Sequence, residues 1–522
     1  MIKRLLIANR GEIAIRIAEA AAELGIATVG IYSEDDANSL HVKRVDEAVA
    51  LEGRGAAAYL DIAGVVAAAK AARCDAAHPG YGFLSENAAF ARACAAARIA
   101  FVGPTPEQLD LFGDKARARA HARKCKVPVL PGTEETDVAG AAAFFRQHAK
   151  SGVALKAIAG GGGRGMRLVT EEGAIAEAFA RASAEAKAAF GNGGLYAERL
   201  IRQARHIEIQ IVGDGKNVVA LGERECSLQR RSQKIVELAP SPGLKPAVAK
   251  KIVAAALAMA KAVKYRSLGT FEFLVEGNDF FFIEANPRLQ VEHTVTEEVW
   301  GVDLVQAQLR GVLPKAGGPH GAAIQLRVNL ETMTEDGSAK PGGGTLAVFE
   351  PPSGPGVRVD TYGYAGYRTN PNFDSLLAKV IVKGSSYEQA LARAERALAG
   401  FRLEGAPSNL GFLRALIADK DVKADKVHTR FVDEHAKSLI GAATKLNGGR
   451  YFQAAAPAAS GGRQAGAKVD AVDPLAVLTF GKAAAQIETP VESDAPEGTV
   501  PVPAPMQGTI VSLSVKEGDA VA

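Results

Sequence analysis

"GTFEFLVEGNDFFFIEANPRLQVEHTVTE", residues 269–297, changes character halfway along. Two apolar runs flank Gly277-Asn278-Asp279, the pattern of a β-hairpin. Past Ile283 the odd positions read Ala285, Pro287, Leu289 and Val291, and the even positions Glu284, Asn286, Arg288, Gln290 and Glu292. An extended chain sends alternate side chains to opposite faces. The segment therefore predicts one packed face and one face of acids, amides and a base. A half-exposed strand explains alternation, but Pro287 cannot donate to a sheet ladder, which argues against a regular central strand there. A two-residue turn puts Glu272 and Glu284 on opposite faces of the hairpin, and a three-residue loop puts them directly across from each other. In the second case the like charges need a cation between them. A divalent metal held by one or two carboxylates and substrate phosphates is the obvious resident.

A second local signal supports a nucleotide. In "KAIAGGGGRGM" four consecutive glycines, Gly160, Gly161, Gly162 and Gly163, let backbone N–H groups close around an anion. Lys156 precedes them and Arg164 follows, supplying positive charge. The pattern is not a Walker A motif, because Met166 follows Gly165. The flanking "ALKAI" and "MRLV" read as strands, so the loop is expected to be a flap over phosphates, where a flexible surface hairpin is the plainer alternative. A phosphate flap and a carboxylate pair are complementary halves of a phosphoryl-transfer site. Together they point to an ATP-dependent ligase or kinase.

The rest of the chain sets the frame. Its 522 residues suffice for several domains, and 48% hydrophobic with 23% charged residues is ordinary for a globular protein. A net charge of +4 argues against a dedicated nucleic-acid binder. No apolar run is long enough to span a bilayer, and an arginine interrupts the N-terminus too early for a signal-peptide core, so a cytoplasmic protein is expected. Cys74, Cys94, Cys125 and Cys226 have no metal-ligand spacing, and structural burial is expected for each. Strands alternate with helices over the first hundred residues, which predicts a doubly wound parallel sheet with "ANRGE" and "HPGYGFLSEN" beyond its strand ends. The basic run 114–126 is expected to be a helix, and a solvated face is its plain reading. Residues 205–234 read as antiparallel strands, and a mixed region runs to about 440. Ala/Gly-rich linker composition follows over 441–498.

The motifs "IANRGEIA", "HPGYGFLSENAAFA", "GDKARAR", "KAIAGGGGRGM", "RHIEIQI", "ERECSLQRRSQKIVE", "FIEANPRLQVEHTVTE" and "GVRVDTYGYAGY" resemble, in order over about 1–440, the biotin carboxylase component of biotin-dependent carboxylases. The resemblance implies an α/β ATP-grasp architecture: an N-terminal doubly wound domain over 1–129, a small mobile lid over 130–200 and a larger mixed domain over 201–440. It implies that ATP with Mg²⁺ (or Mn²⁺) phosphorylates bicarbonate, and that the carboxyl group then passes to biotin. Carried over residue by residue, Lys115, Lys156 and the glycine loop bind phosphates, and Glu198, His206, Gln229 and Leu274 surround adenine and ribose. Glu272, Glu284 and Asn286 surround the metal. Lys234, Arg288, Gln290 and Val291 hold bicarbonate with Glu292 as its base, while Arg358 and Tyr81 face the biotin ureido group. The implied partners are a biotinyl carrier domain and a carboxyltransferase domain or subunit, with a homo-oligomer expected. An acyl-CoA is the expected final acceptor, and pyruvate or urea the alternative.

Some positions depart from the family. Ala159 stands where the glycines usually begin, Ser232 where His or Asn is common, and Leu238 where a second acid is usual; "RVNLET" replaces the customary "RINAED". "APMQGTIVSLSVKEGDAVA" resembles the opening of a biotinyl carrier domain over 499–522, without the lysine that carries biotin, and is expected to be disordered or paired elsewhere. Two further readings compete: another ATP-grasp ligase joining a carboxylate to an amine, and a nucleotide-binding subunit without chemistry.

Overall fold

The computed structural model describes residues 2–158, 165–315, 317–334 and 337–446. The glycine loop with Ala159 and Arg164, the linker from 447 onward and the carrier-like segment lie outside these residues.

The first layer is a five-stranded parallel sheet in the order Glu47–Ala50, Ala27–Tyr32, Arg4–Ile7, Ala76–His78, Ala100–Phe101. Its central strand is apolar on both sides because both faces are covered. Leu5 and Ile7 pack with Ile13 and Ile17 of the helix Gly11–Glu23, while Leu6 packs on the opposite face with Val29, Tyr59 and Phe90. Beyond the carboxyl ends, Asn9 Nδ2 donates to the carbonyls of Pro79 at 2.6 Å and Tyr81 at 2.7 Å. Gly80, at φ +62°, lets the two loops close this tightly, since a Cβ there would lie 2.9 Å from Asn9 Nδ2.

The second layer is an eight-stranded antiparallel sheet in the order Asp279–Asn286, Arg266–Glu276, Arg205–Asp214, Val218–Arg230, Gln233–Ala239, Ala322–Asn329, Leu376–Gly384, Val357–Thr361. The helix Pro246–Ala262 covers one part of it, burying Ile252 and Met259 against Ile207, Ile209 and Phe271. The helices Tyr387–Gly400 and Leu410–Ala418 cover the other, against Leu326, Val380 and Val382. Leu238 lies 2% exposed in that second core, where a carboxylate would be buried among hydrocarbon. Between the two layers in sequence comes a small three-stranded sheet, Met166–Val169, Val153–Ala157, Leu195–Arg199, packed on the helices Val138–Gln147 and Ile175–Phe190.

The decisive hairpin solves its parity problem in an unexpected place. Its turn holds two residues, with Glu276 paired to Asp279 and Gly277 at φ +63°. Phe273 still pairs with Phe282, but Glu272 pairs with Glu284, so Ile283 is an extra residue. A bulge of this kind sets two residues of one strand against one of the other. The bulge, and not a three-residue loop, brings the carboxylates face to face.

Candidate active site

Three neighbouring strands each offer an acid at one level of the large sheet, with Glu208 paired to Glu272 and Glu272 to Glu284. Adjacent like charges are destabilising in a sheet unless cations intervene. Here they do. Lys234 Nζ lies 2.5 Å from Glu208, 3.1 Å from Glu272 and 2.6 Å from Glu292. Lys115 Nζ lies 3.3 Å from Glu284, and the fully buried Arg224 pairs with Glu208 while donating to Gln210, Thr270 and Thr296. Burial disfavours the Lys234 ammonium, but Glu208, Glu272 and Glu292 together hold its pKa well above the usual lysine value.

Glu272 is the most heavily shared acid. Its Oε1 accepts from Asn286 at 2.7 Å and Gln290 at 3.3 Å, and its Oε2 meets His206 Nε2 at 2.6 Å. Gln229 Nε2 donates to His206 Nδ1 at 2.5 Å, so the ring proton sits on Nε2 and points at Glu272. His206 and Gln229 thus orient this carboxylate. Glu198, expected with them around adenine and ribose, accepts from Lys156 Nζ at 2.6 Å and pairs with Arg119. Burial pushes the Glu198 carboxyl up, yet Lys156 and Arg119 draw it below the usual range. Leu274 packs beside Leu130, Ile201 and Ala204.

The ribbon beyond the hairpin leaves the sheet at Asn286, as Pro287 requires. Arg288 donates to Gln290 Oε1 at 3.0 Å and the Leu289 carbonyl at 3.1 Å, and pairs with Glu86. Leu289 is buried beneath it, whereas Val291 is only half-buried, so the alternation fades where the chain turns into the helix His293–Trp300. Glu292 sits at the first position before that helix with no exposed surface, and its carboxylate makes no capping bond to the helix. Its second oxygen meets Arg327 at 3.1 Å. Burial pushes the Glu292 carboxyl up, but Lys234, Arg327 and Arg224 hold it well below the usual carboxylate range.

Tyr81 and Arg358 do not meet directly. Tyr81 lines a cavity of about 250 Å³ with Arg10, Glu12, Tyr362 and Asp374, and Arg358 lines a second of about 280 Å³ with Arg16, Glu297 and Lys383. A hydrogen bond from Tyr81 to Glu12 and a buried chain of ionic contacts, Glu12 to Lys379, Lys379 to Asp360 and Asp360 to Arg358, join them.

The donor set suits a hard divalent cation. Glu272 and Glu284 present oxygens at one end of the hairpin, Asn286 turns its amide nitrogen to Glu272, and the acids' charge is met by the ammonium groups of Lys234 and Lys115. His206, Glu208 and Glu272 bring ligand atoms within 4.8 Å of one another. The basic helix, Lys115–Lys124, is more than a solvated face, because Arg119 is buried on Glu198. Ser232, in the tight turn after Arg230, has φ +65°, a conformation asparagine tolerates better than serine.

Several charged partners escape a reading of the ribbon alone: Glu208, Arg224, Arg327, Lys379, Asp360 and Glu12. For Glu208 a signal was present. In "RHIEIQI" His206, Glu208 and Gln210 alternate with Ile207, Ile209 and Ile211, the same period of two. Lys379 carries none, since it is one lysine within "SLLAKVIV".

Comparison with known proteins agrees with this geometry. Residues 1–109 match the biotin carboxylase N-terminal domain, 114–313 the ATP-binding domain of the carbamoyl-phosphate synthase L chain, and 325–434 the biotin carboxylase C-terminal domain. A biotin carboxylase from Nostoc is 44% identical over 447 residues, covering 83% of this chain and 99% of that protein. Pyruvate carboxylase from Staphylococcus aureus is 45% identical over 454 residues, again 83% of this chain but 39% of that protein, so the chain spans about two fifths of that relative's length. The biotin carboxylase domain dimer of Hydrogenobacter thermophilus 2-oxoglutarate carboxylase, solved with MgADP, ADP and bicarbonate, superposes with a TM-score of 0.81 at 40% identity over 84% of this chain and 99% of that one. A buried Lys–Glu–Arg site in an ATP-grasp frame, matched over four fifths of its length by such relatives, means that the chain belongs to the biotin carboxylase family of ATP-dependent ligases.

Proposed function

We propose that this chain carboxylates carrier-bound biotin, first converting bicarbonate and ATP into carboxyphosphate and ADP. The observation that carries the reading is Lys234, whose ammonium lies within 3.1 Å of both Glu272 and Glu292. A cation between a metal-side acid and a buried base is where a small oxyanion would be held for attack on a phosphate. Lys234, Arg288, Gln290 and the Val291 backbone hold bicarbonate, and Glu292 takes its proton as its oxygen attacks the γ-phosphorus. Bound bicarbonate draws Lys234 away from Glu292, which raises the basicity of that carboxylate at the moment it is needed. Lys115, Lys156 and the glycine loop bind the phosphates. A magnesium ion held by Glu272, Glu284 and Asn286 would draw negative charge off the phosphates. Tyr81 faces the ureido group, whose nitrogen takes the carboxyl group from carboxyphosphate while its proton leaves with the released phosphate.

Residues 1–129, 130–200 and 201–440 then serve as N-terminal domain, lid and main catalytic domain of a cytoplasmic homo-oligomer. The carrier-like segment after the 441–498 linker supports an acyl-CoA as final acceptor, through a separate transferase. A 2-oxo acid acceptor is the second reading, favoured by the 45% identity to a pyruvate carboxylase. Phosphate release from ATP, measured with and without bicarbonate and free biotin, tests the half-reaction. Release independent of both would reject it. Radiolabelled bicarbonate offered to the assembled carboxylase with acetyl-CoA, propionyl-CoA or pyruvate separates the acceptors.

A further inference from the structure

Glu198, in the small three-stranded sheet, holds two cations at once. It is 4% exposed, and each oxygen has its own partner: Oε2 accepts from Lys156 Nζ at 2.6 Å, and Oε1 pairs with Arg119. Lys156 lies on the adjacent strand of the same sheet, Val153–Ala157. Arg119 comes from outside that sheet, on the helix Lys115–Lys124, one turn after Lys115. Its Nη2 also donates to the Leu130 carbonyl at 3.0 Å, and its guanidinium lies 5.4 Å from the centre of the Tyr196 ring. The chain closes over the pair at Gly132, where a Cβ would lie 3.0 Å from Glu198 Cγ and 3.1 Å from Arg119 Nη2. The Lys156 side chain is 23% exposed and that of Arg119 only 8%. Lys156 is therefore the partner with room to turn away, and Arg119 the one that is fixed.

Two demands fall on Lys156. Its ammonium is assigned above to the nucleotide phosphates, and it donates to Glu198. To serve a phosphate it must loosen its hold on the acid, and a buried carboxylate left without a cation keeps its desolvation penalty. That penalty would be subtracted from the binding of ATP. Arg119 removes the obstacle, because Oε1 stays paired whichever way Lys156 turns.

We propose that Arg119 is a positioning residue for ATP binding: by keeping Glu198 paired, it lets Lys156 exchange that carboxylate for a phosphate. The inference rests on the reading of Lys156 as a phosphate ligand. Arg119 acts only through Glu198, so its worth to the nucleotide depends on the charge at position 198.

The test measures equilibrium binding of MgATP to the full chain without bicarbonate. Arg119→Met is expected to weaken binding by about 10- to 100-fold, the range of one hydrogen bond to a charged group. In a Glu198→Gln background, with no buried charge to strand, the same substitution is expected to change affinity by less than about twofold, as for groups that do not interact. Any contact that Glu198 itself makes with the nucleotide cancels in this double-mutant cycle. Arg119→Lys, which keeps a cation beside Glu198, is expected to recover most of the loss. A thermal melt accompanies each variant, and if Arg119→Met unfolds, Arg119→Gln, which donates to Glu198 without charge, replaces it in the cycle. Equal losses in the two backgrounds overturn the inference, as does no loss in the parent background. Lys156→Met is the control: if it binds MgATP as the parent does, the phosphate assignment of Lys156 fails, independently of Arg119.

Discussion

The Lys234 ammonium lies 2.6 Å from Glu292 at the start of a helix and 3.1 Å from Glu272 in the middle of a sheet. One cation thereby couples a buried acid of the sheet to a buried acid that opens the following helix. The same contact, with Arg327 and Arg224, holds the Glu292 carboxyl well below the usual carboxylate range against the push of burial.

Glu292→Gln keeps the size and one hydrogen-bonding oxygen but cannot accept the bicarbonate proton. Bicarbonate-dependent phosphate release should fall by about 10²- to 10⁴-fold, the usual range for a general base. ATP affinity, measured by equilibrium binding, should stay near that of the parent. Unchanged turnover would remove Glu292 from the mechanism.

Arg224 is completely buried and satisfies Glu208, Gln210, Thr270 and Thr296 at once. Truncating one partner of a buried ionic cluster costs about 3–5 kcal/mol, because the remaining acid keeps its desolvation penalty. Arg224→Leu should show that loss in denaturant-induced unfolding. A shift of the midpoint too small to resolve would mean that Glu208 finds another cation.

Stability should decline in acid for a stated reason. Burial pushes the Glu198, Glu292 and Asp360 carboxyls up, but their cationic partners win and hold all three below the usual range. In the window between those lowered values and the ordinary carboxylate pKa, the unfolded chain binds more protons than the native one. Their stabilisation is therefore complete above the unfolded value and lost as pH falls through the folded one. Burial raises Glu12, Glu19, Glu223, Glu237, Asp374, Asp425 and Asp433 instead, and these contribute with the opposite sign. Asp35, Asp46, Glu107, Asp214, Glu272 and Glu388 are held low as well, nine of the described carboxyls against seven, so melting temperature should drop between about pH 5 and about pH 3. A flat profile across that interval would contradict the assignment.

Thiol chemistry should separate the cysteines. Cys74, Cys94 and Cys226 are buried, and burial pushes the first two up to about 11 and about 12 and the third well above its usual value. Cys125 is only half-buried. Alkylation of the native protein, followed by peptide mass spectrometry, should mark Cys125 first and the other three only on unfolding. Early labelling of Cys226 would mean that its pocket opens.

Much of this architecture is legible in the chain. The parallel sheet shows as short apolar runs alternating with helical ones, because a strand covered on both faces has no polar side to display. The ribbon shows as alternation, and both the hairpin and the family follow from motifs in fixed order. Other relationships leave no local trace. The bulge at Ile283 supplies the residue that an even-numbered turn lacks, and "FFFIEAN" looks the same with or without it. Arg327 is a lone base in "RVNLET" until antiparallel pairing carries it to Glu292.

By itself the sequence determined where the chain is strand or helix and which side chains share a face, since backbone geometry ties direction to position at a period of two or 3.6 whatever packs against it. Tertiary structure decided which acids share which cation. Lys234 serves Glu208, Glu272 and Glu292, and Lys379 serves Glu12, Asp360 and the Val291 carbonyl, because folding brings them within 3.5 Å in a medium of low dielectric. Ionic attraction varies inversely with distance and dielectric, and neither quantity belongs to any short stretch of chain.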